Sequence, residues 1–288
     1  MEEKIKTGLV MEGGAMRGLF TCGVIDVLME NGITFDGAVG ISAGAVFGCN
    51  YKSRQIGRPR RYNETYCKDP RYGSIISLLK TGDVFDEDFC YRELPEKLDV
   101  FDRETFASNP MEFYVGATDI ITGKCVFHKC TDGGRIDTRW MQASASMPIV
   151  SKPVSVDGHL LLDGGIADSI PYKFMEEKGY NRNVIILTQP KGFKKRISKI
   201  LPLMRIMLRK YPAVADVMAV RHDIYNQQIS EIEEREEKGI SFVIRPPQSL
   251  DIGRMESNPS ELERVYQIGR KEAERILPAL KEFLNRNN

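Results

Sequence analysis

The feature that most constrains this chain is the pentapeptide Gly40-Ile41-Ser42-Ala43-Gly44, a G-x-S-x-G pattern after the apolar run 35–39. The small residues 45–49 come next and can continue as a buried helix. A strand, a sharp turn and a helix in this order project the serine hydroxyl at the top of a sheet. The helix N-terminus adds partial positive charge there. The pattern predicts an α/β fold with Ser42 as nucleophile; a glycine- and alanine-rich helix start without chemistry is the alternative.

A second glycine-rich segment, residues 13–18, follows a short apolar strand predicted at residues 9–11. Backbone N–H groups in such a strand-to-helix loop face an anion. A nucleotide phosphate does not fit, because neither G-x-x-x-x-G-K-[ST] nor G-x-G-x-x-G occurs here. With a candidate nucleophile one β-α unit later, we interpret the segment as a loop that stabilises an oxyanion.

A candidate carboxylate lies downstream, where the apolar strand 160–162 runs into Asp163-Gly164-Gly165. A strand that ends in this way delivers an acid to the edge of a sheet on a tight turn. Asp132-Gly133-Gly134 has the same letters but follows a polar stretch, without a long buried strand before it. We therefore predict Asp163, and not Asp132, as the partner of Ser42.

These motifs, in this order, resemble those of the bacterial patatin-like phospholipases over about residues 6–175. Residues 13–18 resemble the oxyanion loop of that family, residues 40–44 its serine elbow and residues 163–165 its Asp-Gly motif. The segment 143–154 is similar to the Ser-rich, Pro-containing segment that precedes the family's aspartate, which also favours Asp163. One departure is Ala15, which occupies the third place of a run that is usually three glycines.

The resemblance implies a three-layer α/β sandwich with a mostly parallel central sheet, and acyl-ester hydrolysis by a Ser-Asp dyad without histidine. The implied substrates are phospholipids, lysophospholipids or other fatty-acyl esters. The sequence has no acidic calcium-binding loop and no zinc spacing, so we expect no cofactor and no metal. Arg17 is expected to brace the glycine-rich loop by hydrogen bonds to carbonyls. Besides the dyad, the site comprises the oxyanion-hole residues Gly13, Gly14, Ala15 and Ala43, the loop supports Arg17 and Gly18, and the motif glycines Gly40, Gly44, Gly164 and Gly165.

The histidines give independent support for a dyad. A triad in the α/β-hydrolase order needs a histidine after the acid, and only His222 follows Asp163. We predict a solvated helix position for His222 and a turn position for His159. An acyltransferase that uses the same serine, and a catalytically silent lipid-binding protein, remain alternative functions.

Composition indicates a soluble globular enzyme. The chain has 41 Lys and Arg against 40 Asp and Glu, so it has no overall attraction to nucleic acid. Its six cysteines lack C-x-x-C pairing, which predicts reduced thiols. The first residues lack the pattern of a signal peptide, and no apolar run is long enough to span a membrane. We expect a cytoplasmic protein with peripheral contact to lipid.

Two basic segments are candidates for contact with an anionic membrane, Lys191–Lys210 and Lys52–Arg61. In the first, apolar residues interleave at helical spacing with eight basic residues, and no acid is present. Such a segment can lie on a membrane surface, or it can pack its apolar stripe on the sheet and expose its lysines to water.

We predict a catalytic domain over residues 5–190 and an extension over residues 191–288 on the same core. The extension reads as a helix from 216 to 238, a strand from 240 to 245 and a long helix from about Pro259. No linker in it is good enough to divide it into an independent domain.

Overall fold

A computed structural model describes residues 5–198 and 201–286 of the chain. Within them, eight strands form one sheet: β1 (Thr7–Met11), β2 (Gly37–Ile41), β3 (Glu112–Asp119), β4 (Cys125–Cys130), β5 (Val154–Val156), β6 (His159–Asp163), β7 (Arg182–Ile186) and β8 (Ser241–Ile244). Their order is β5-β6-β3-β2-β1-β7-β8, with β4 also paired to β3. The five strands from β3 to β8 in this order are parallel, whereas β4, β5 and β6 pair antiparallel.

Helices cover both faces of the sheet. They are α1 (Gly18–Glu30), α2 (Ala43–Val46), α3 (Cys49–Lys52), α4 (Arg58–Tyr66), α5 (Ile75–Thr81), α6 (Arg103–Ser108), α7 (Arg135–Ala145), α8 (Tyr172–Glu177), α9 (Leu201–Met207), α10 (Pro212–Glu237) and α11 (Pro259–Asn285). A π-helical segment spans Phe89–Leu98, and 3₁₀ turns span Ala15–Arg17 and Gly164–Ile166.

Alternate residues of the central strand β1 belong to different cores. Leu9 and Met11 pack in the core that contains residues of α1 and α11, and Val10 packs in the core that contains residues of α8 and α10. Because side chains of a strand alternate between the faces of its sheet, the two cores lie on opposite faces. The predicted three-layer α/β sandwich with a mostly parallel sheet is confirmed.

The register of β3 sets where two other strands end. Ile41, the last residue of β2, pairs with Gly116, and Asp163, the last residue of β6, pairs with Ala117. The opposite edge of β3 is occupied by β4, which pairs with residues 113–118. The ends of β2 and β6 therefore meet on one edge of β3, and this brings Asp163 next to Ser42.

The C-terminal hundred residues contact the rest of the chain closely. β8 extends the sheet beside β7, and α11 packs against α1. Tyr266 on α11 donates a hydrogen bond of 2.8 Å to the buried Asp26 of α1, and Arg270 pairs with Glu30. We propose from these contacts that residues 191–288 extend the catalytic unit.

One predicted boundary in the extension needs correction. The helix expected from 216 begins at Pro212, because a proline at the first turn lacks only an N–H that the helix would leave unpaired. Within the basic segment Lys191–Lys210, α9 is the one helix among the described residues, and Lys199 lies outside them. In the described part of the chain, no helix has both the length and the apolar character needed to cross a bilayer.

Candidate active site

Ser42 occupies a strained turn between β2 and α2. Its φ of 54° and ψ of −121° fall in a region that L-residues rarely adopt. A Cβ on Gly40 would collide with the Gly44 carbonyl, and a Cβ on Gly44 would collide with the Met11 carbonyl. The two motif glycines are therefore required by the close approach of the backbone around the turn.

Ser42 donates a hydrogen bond of 2.7 Å from Oγ to Oδ2 of Asp163. The second oxygen of Asp163 accepts from the N–H of Gly165 at 2.8 Å, and its carbonyl accepts from Thr118 Oγ1 at 2.8 Å. Burial raises the pKa of Asp163, while the hydrogen bond from Ser42 opposes that shift. The arrangement places a positioned base against a serine hydroxyl.

Ser144 fixes the backbone of the elbow. Its Oγ accepts a hydrogen bond of 2.8 Å from the N–H of Ser42 and donates one of 2.6 Å to the Gly116 carbonyl. The serine is fully buried on α7. The Ser-rich segment was recognised in the sequence, but this role of Ser144 could not be assigned from it.

The glycine-rich loop lies beside the elbow. Within the described residues, the N–H groups of Gly13, Gly14, Ala15 and Ala43 have no hydrogen-bond acceptor. A Cβ on Gly13 would lie 3.1 Å from the Cβ of Ser42, so this loop passes close to the hydroxyl. These N–H groups are free to bind an oxyanion.

Ala15 adopts a φ of 49°, in the left-handed region that favours glycine. This conformation accounts for the glycine that the family usually carries there. An alanine can adopt it at a modest energetic cost, so the loop keeps its course.

The predicted role of Arg17 was wrong. Its guanidinium makes no hydrogen bond to the carbonyls of the loop, and its buried Nε has no acceptor in the described part of the chain. The loop is supported instead by Glu12, which is 2% exposed. Glu12 accepts from the Thr188 N–H at 2.5 Å and from the Tyr225 hydroxyl at 2.9 Å.

A cavity of about 120 Å³ opens from Ser42. Its walls are mostly apolar, with a few polar side chains: they include Ala15, Met16, Ala43, Val46, Phe47, Tyr62, Tyr72, Phe85, Tyr91, Leu94, Phe101, Met141, Ala145, Met147 and Arg254. A cavity of this composition is suited to a hydrocarbon chain.

The alternative acid and the histidines lie elsewhere. Asp132 is exposed and accepts from the Gly134 N–H at 2.7 Å. His159 belongs to β6 and not to the turn before it, and its Nδ1 lies 2.9 Å from Asp119 Oδ2. His222 is 19% exposed in its side chain, so it is not the solvated residue that periodicity predicted. Periodicity alone misplaced it because α10 packs along the sheet.

The basic patch predicted at Lys52–Arg61 is not a free cationic surface. Lys52 is buried and donates to the Asn109 carbonyl at 2.7 Å. Arg58 is buried against Asp99, which also pairs with Arg61. Lys52 and Arg58 are thus used inside the fold, while Arg54 and Arg61 remain exposed, so the predicted patch is smaller than expected. All six cysteines are free thiols in the structure.

Two family models match the chain. One, described as patatin-like phospholipase, matches residues 9–175, and the other, described as a domain of unknown function (DUF6363), matches residues 211–285.

Several known proteins are similar to the chain. The uncharacterized protein YjjU of Escherichia coli K12 is 28% identical over 92% of this chain and 75% of its own length. Lysophospholipase NTE1 of Coccidioides immitis is 24% identical over 95% of this chain, but only 18% of the relative is covered. An uncharacterized NTE family protein of Mycobacterium tuberculosis H37Rv is 28% identical over 58% of this chain and 44% of its own length. The chain thus spans less than half of these two NTE relatives.

Among solved structures, VipD from Legionella pneumophila is similar with a TM-score of 0.47 and 16% identity. The match covers 96% of this chain and 67% of VipD.

Proposed function

The chain belongs to the patatin-like phospholipase family, and we propose that it hydrolyses fatty-acyl esters of phospholipids or lysophospholipids, with Ser42 as nucleophile and Asp163 as base. The observation that carries the proposal is the 2.7 Å hydrogen bond between these side chains beside an apolar cavity. The family and the name of the Coccidioides relative support a lipid ester hydrolase.

In the first half-reaction, Ser42 Oγ attacks the ester carbonyl carbon while its proton passes to Asp163. The tetrahedral intermediate then collapses, the bond to the leaving oxygen breaks, and Asp163 returns the proton to that alcohol. The carbonyl oxygen carries negative charge in the intermediate. The free N–H groups of Gly13, Gly14, Ala15 and Ala43 would stabilise it, each by about 3 kcal/mol.

In the second half-reaction, water attacks the acyl-serine with Asp163 again as base. The fatty acid leaves, and Ser42 recovers its proton. A raised pKa makes Asp163 a stronger base than an exposed aspartate, so its burial supports both steps.

The acyl chain would occupy the apolar cavity next to Ser42. Val46 is the last residue of α2 and Phe47 follows it, whereas Met141 and Ala145 belong to α7. Because these walls offer dispersion contacts and few hydrogen-bond partners, they favour a hydrocarbon chain over a polar acyl group.

Contact with a lipid surface would be made through α9. Met204 and Leu208 pack in a core, while Leu203, Ile206 and Met207 are exposed, Ile206 by 66%. Arg205 and Arg209 are exposed beside them. Exposed apolar residues flanked by cations suit the interface of an anionic bilayer.

The proposal is tested by incubating the protein with a lysophospholipid in H₂¹⁸O and analysing the products by mass spectrometry. Hydrolysis releases a fatty acid that carries ¹⁸O, and S42A with an unchanged melting temperature releases none. An acyltransferase would move the acyl group to an added lipid alcohol without ¹⁸O. A silent lipid-binding protein would give no product, and either result contradicts the proposal.

A further inference from the structure

Four positively charged side chains lie near Asp163 or near Glu12 without ion-pair partners among the described residues. They are Arg17, Lys195, Arg221 and Arg254, hereafter the cationic cluster. None of the four forms an ion pair with a described residue, whereas Arg235, for example, pairs with Glu176.

The cluster is held in place from several directions. The Nζ of Lys195 lies 3.6 Å from the ring centre of Tyr225, and its backbone is clamped to α10 by two hydrogen bonds with Asn226. Arg221 donates from Nε to the Gly165 carbonyl, two residues after Asp163. Arg254 lines the cavity together with Ser42.

The acids nearby do not balance this charge. Glu12 already accepts from Thr188 and Tyr225, and Asp163 already accepts from Ser42 and Gly165. Even with both carboxylates ionised, four cations face two anions. Arg17, Lys195 and Arg221 are half-buried and Arg254 is exposed, and the Nε atom of Arg17 is a buried donor without an acceptor in the described part of the chain.

The lowered pKa of Lys195 agrees with several positive charges lying close together. Burial, together with the charges of Arg221, Arg17 and Arg254, lowers the pKa of Lys195 to about 7, against the opposing effect of Glu12. Burial also lowers the pKa of Arg17 and Arg221. An anion bound among these side chains would compensate the excess charge.

We propose that the cationic cluster binds the phosphate of a glycerophospholipid or lysophospholipid headgroup while its acyl ester reaches Ser42. The proposal rests on the proposed function and names the substrate class of that site. Arginine and lysine side chains are the usual partners of phosphate oxygens, and a local excess of positive charge fits a phosphate mono- or diester. Because Arg254 and Ser42 line one cavity, one molecule can contact both.

The proposal also gives a role to the segment that matches a family model of unknown function, residues 211–285. That segment supplies Arg221 and Arg254. The ring of its Tyr225 contacts the ammonium group of Lys195, and the hydroxyl of Tyr225 donates a hydrogen bond to Glu12. The C-terminal segment therefore completes the substrate site with charges that the patatin-like segment lacks.

The test compares two soluble substrates that differ only in the phosphate, 1-hexanoylglycerol 3-phosphate and 1-hexanoylglycerol. The measured quantity is the ratio of their kcat/KM values. We expect R254Q and K195M each to lower this ratio about tenfold or more, mainly through KM, as the loss of a charge-assisted hydrogen bond predicts. K271M, which removes an exposed charge from α11, should leave the ratio as it is in the parent protein.

Inhibition of hexanoylglycerol hydrolysis distinguishes a headgroup from free phosphate. Glycerol 3-phosphate should compete more strongly than inorganic phosphate, and both should compete less well in R254Q. A ratio that stays constant in R254Q and K195M would overturn the cluster's role while the dyad stands. If the parent protein hydrolyses neither ester, the proposed function fails. The role of the cationic cluster is then tested separately by calorimetry of glycerol 3-phosphate with S42A. An absence of binding in that experiment would overturn the role of the cluster.

Discussion

Ile41 and Asp163 pair with consecutive residues of β3, and this register places the serine after Ile41 against the carboxylate. Two strands that run in opposite directions end at the same point on one edge. The position of the base is thus fixed by sheet hydrogen bonds and not by a flexible loop. Such a frame holds a proton donor and acceptor within reach of each other without substrate.

Ser144→Ala tests whether the elbow needs its backbone anchor. The substitution leaves the Ser42 N–H and the Gly116 carbonyl without partners in a buried place. We expect kcat on a chromogenic short-chain ester to fall by about tenfold with little change in KM, since a shift of the nucleophile affects the transition state. Steady-state kinetics measure this.

Ser146→Ala is the matched control, because among the described residues the hydroxyl of this buried serine, at the C-terminal end of α7, bonds only to the Gln142 carbonyl. Equal losses of kcat in S144A and S146A would show that kcat depends on the packing of α7 and not on the hydrogen bond from the Ser42 N–H to Ser144.

Ala145→Phe should shorten the acyl chains that the protein accepts. Ala145 lines the cavity, and a phenyl ring there would fill part of the 120 Å³. We expect the optimum of kcat/KM across saturated p-nitrophenyl esters to move to shorter chains. In the control Ile136→Phe, on the exposed side of α7, the optimum should stay. An unchanged optimum in A145F would place the acyl chain elsewhere.

The pH profile should report the environment of Asp163. The base must be deprotonated to accept the proton of Ser42, so kcat/KM falls as the pH drops through its pKa. Because burial raises that pKa, the acid limb on a neutral ester should lie above the ordinary value of about 3.9. R221Q should move the limb higher, since the charge of Arg221 favours the carboxylate. A limb at or below 3.9 would contradict a buried base.

Asp26 should make the stability of the α1–α11 contact depend on pH. Burial raises the pKa of Asp26 to about 6, against hydrogen bonds from Tyr266 and Gly57. The folded chain then binds this proton more tightly than the unfolded chain, so the free energy of unfolding decreases as pH rises from about 4 to about 6. A shift of this size corresponds to about 3 kcal/mol. Urea unfolding of D26N should lack this decrease, and an equal slope in both proteins would refute the assignment.

The elbow, the oxyanion loop and the Asp-Gly motif could be located from the sequence because the backbone at each of them requires particular residue types at fixed positions. Gly40 is needed by a contact within the turn and Gly44 by a contact with the end of β1, and the left-handed Ala15 occupies a family glycine position. The choice of Asp163 over Asp132 depended on a strand before the acid, which is also a local pattern.

The residues that were missed come together only in the folded chain. Lys195, Arg221 and Arg254 belong to three separate segments, and no spacing connects them to Ser42. The basic patch at Lys52–Arg61 failed for the converse reason. A count of charges along the chain does not reveal that Arg58 pairs with Asp99 or that Lys52 binds carbonyls in the interior.

The most direct measurement is labelling by a fluorophosphonate, with the modified residue located by peptide mass spectrometry. We expect a phosphonyl adduct on Ser42 in the parent protein, strong slowing in D163N, and the parent rate in D132N and in a variant without its three histidines. An adduct on another serine, or a D163N protein that reacts at the parent rate, would contradict the Ser42–Asp163 dyad.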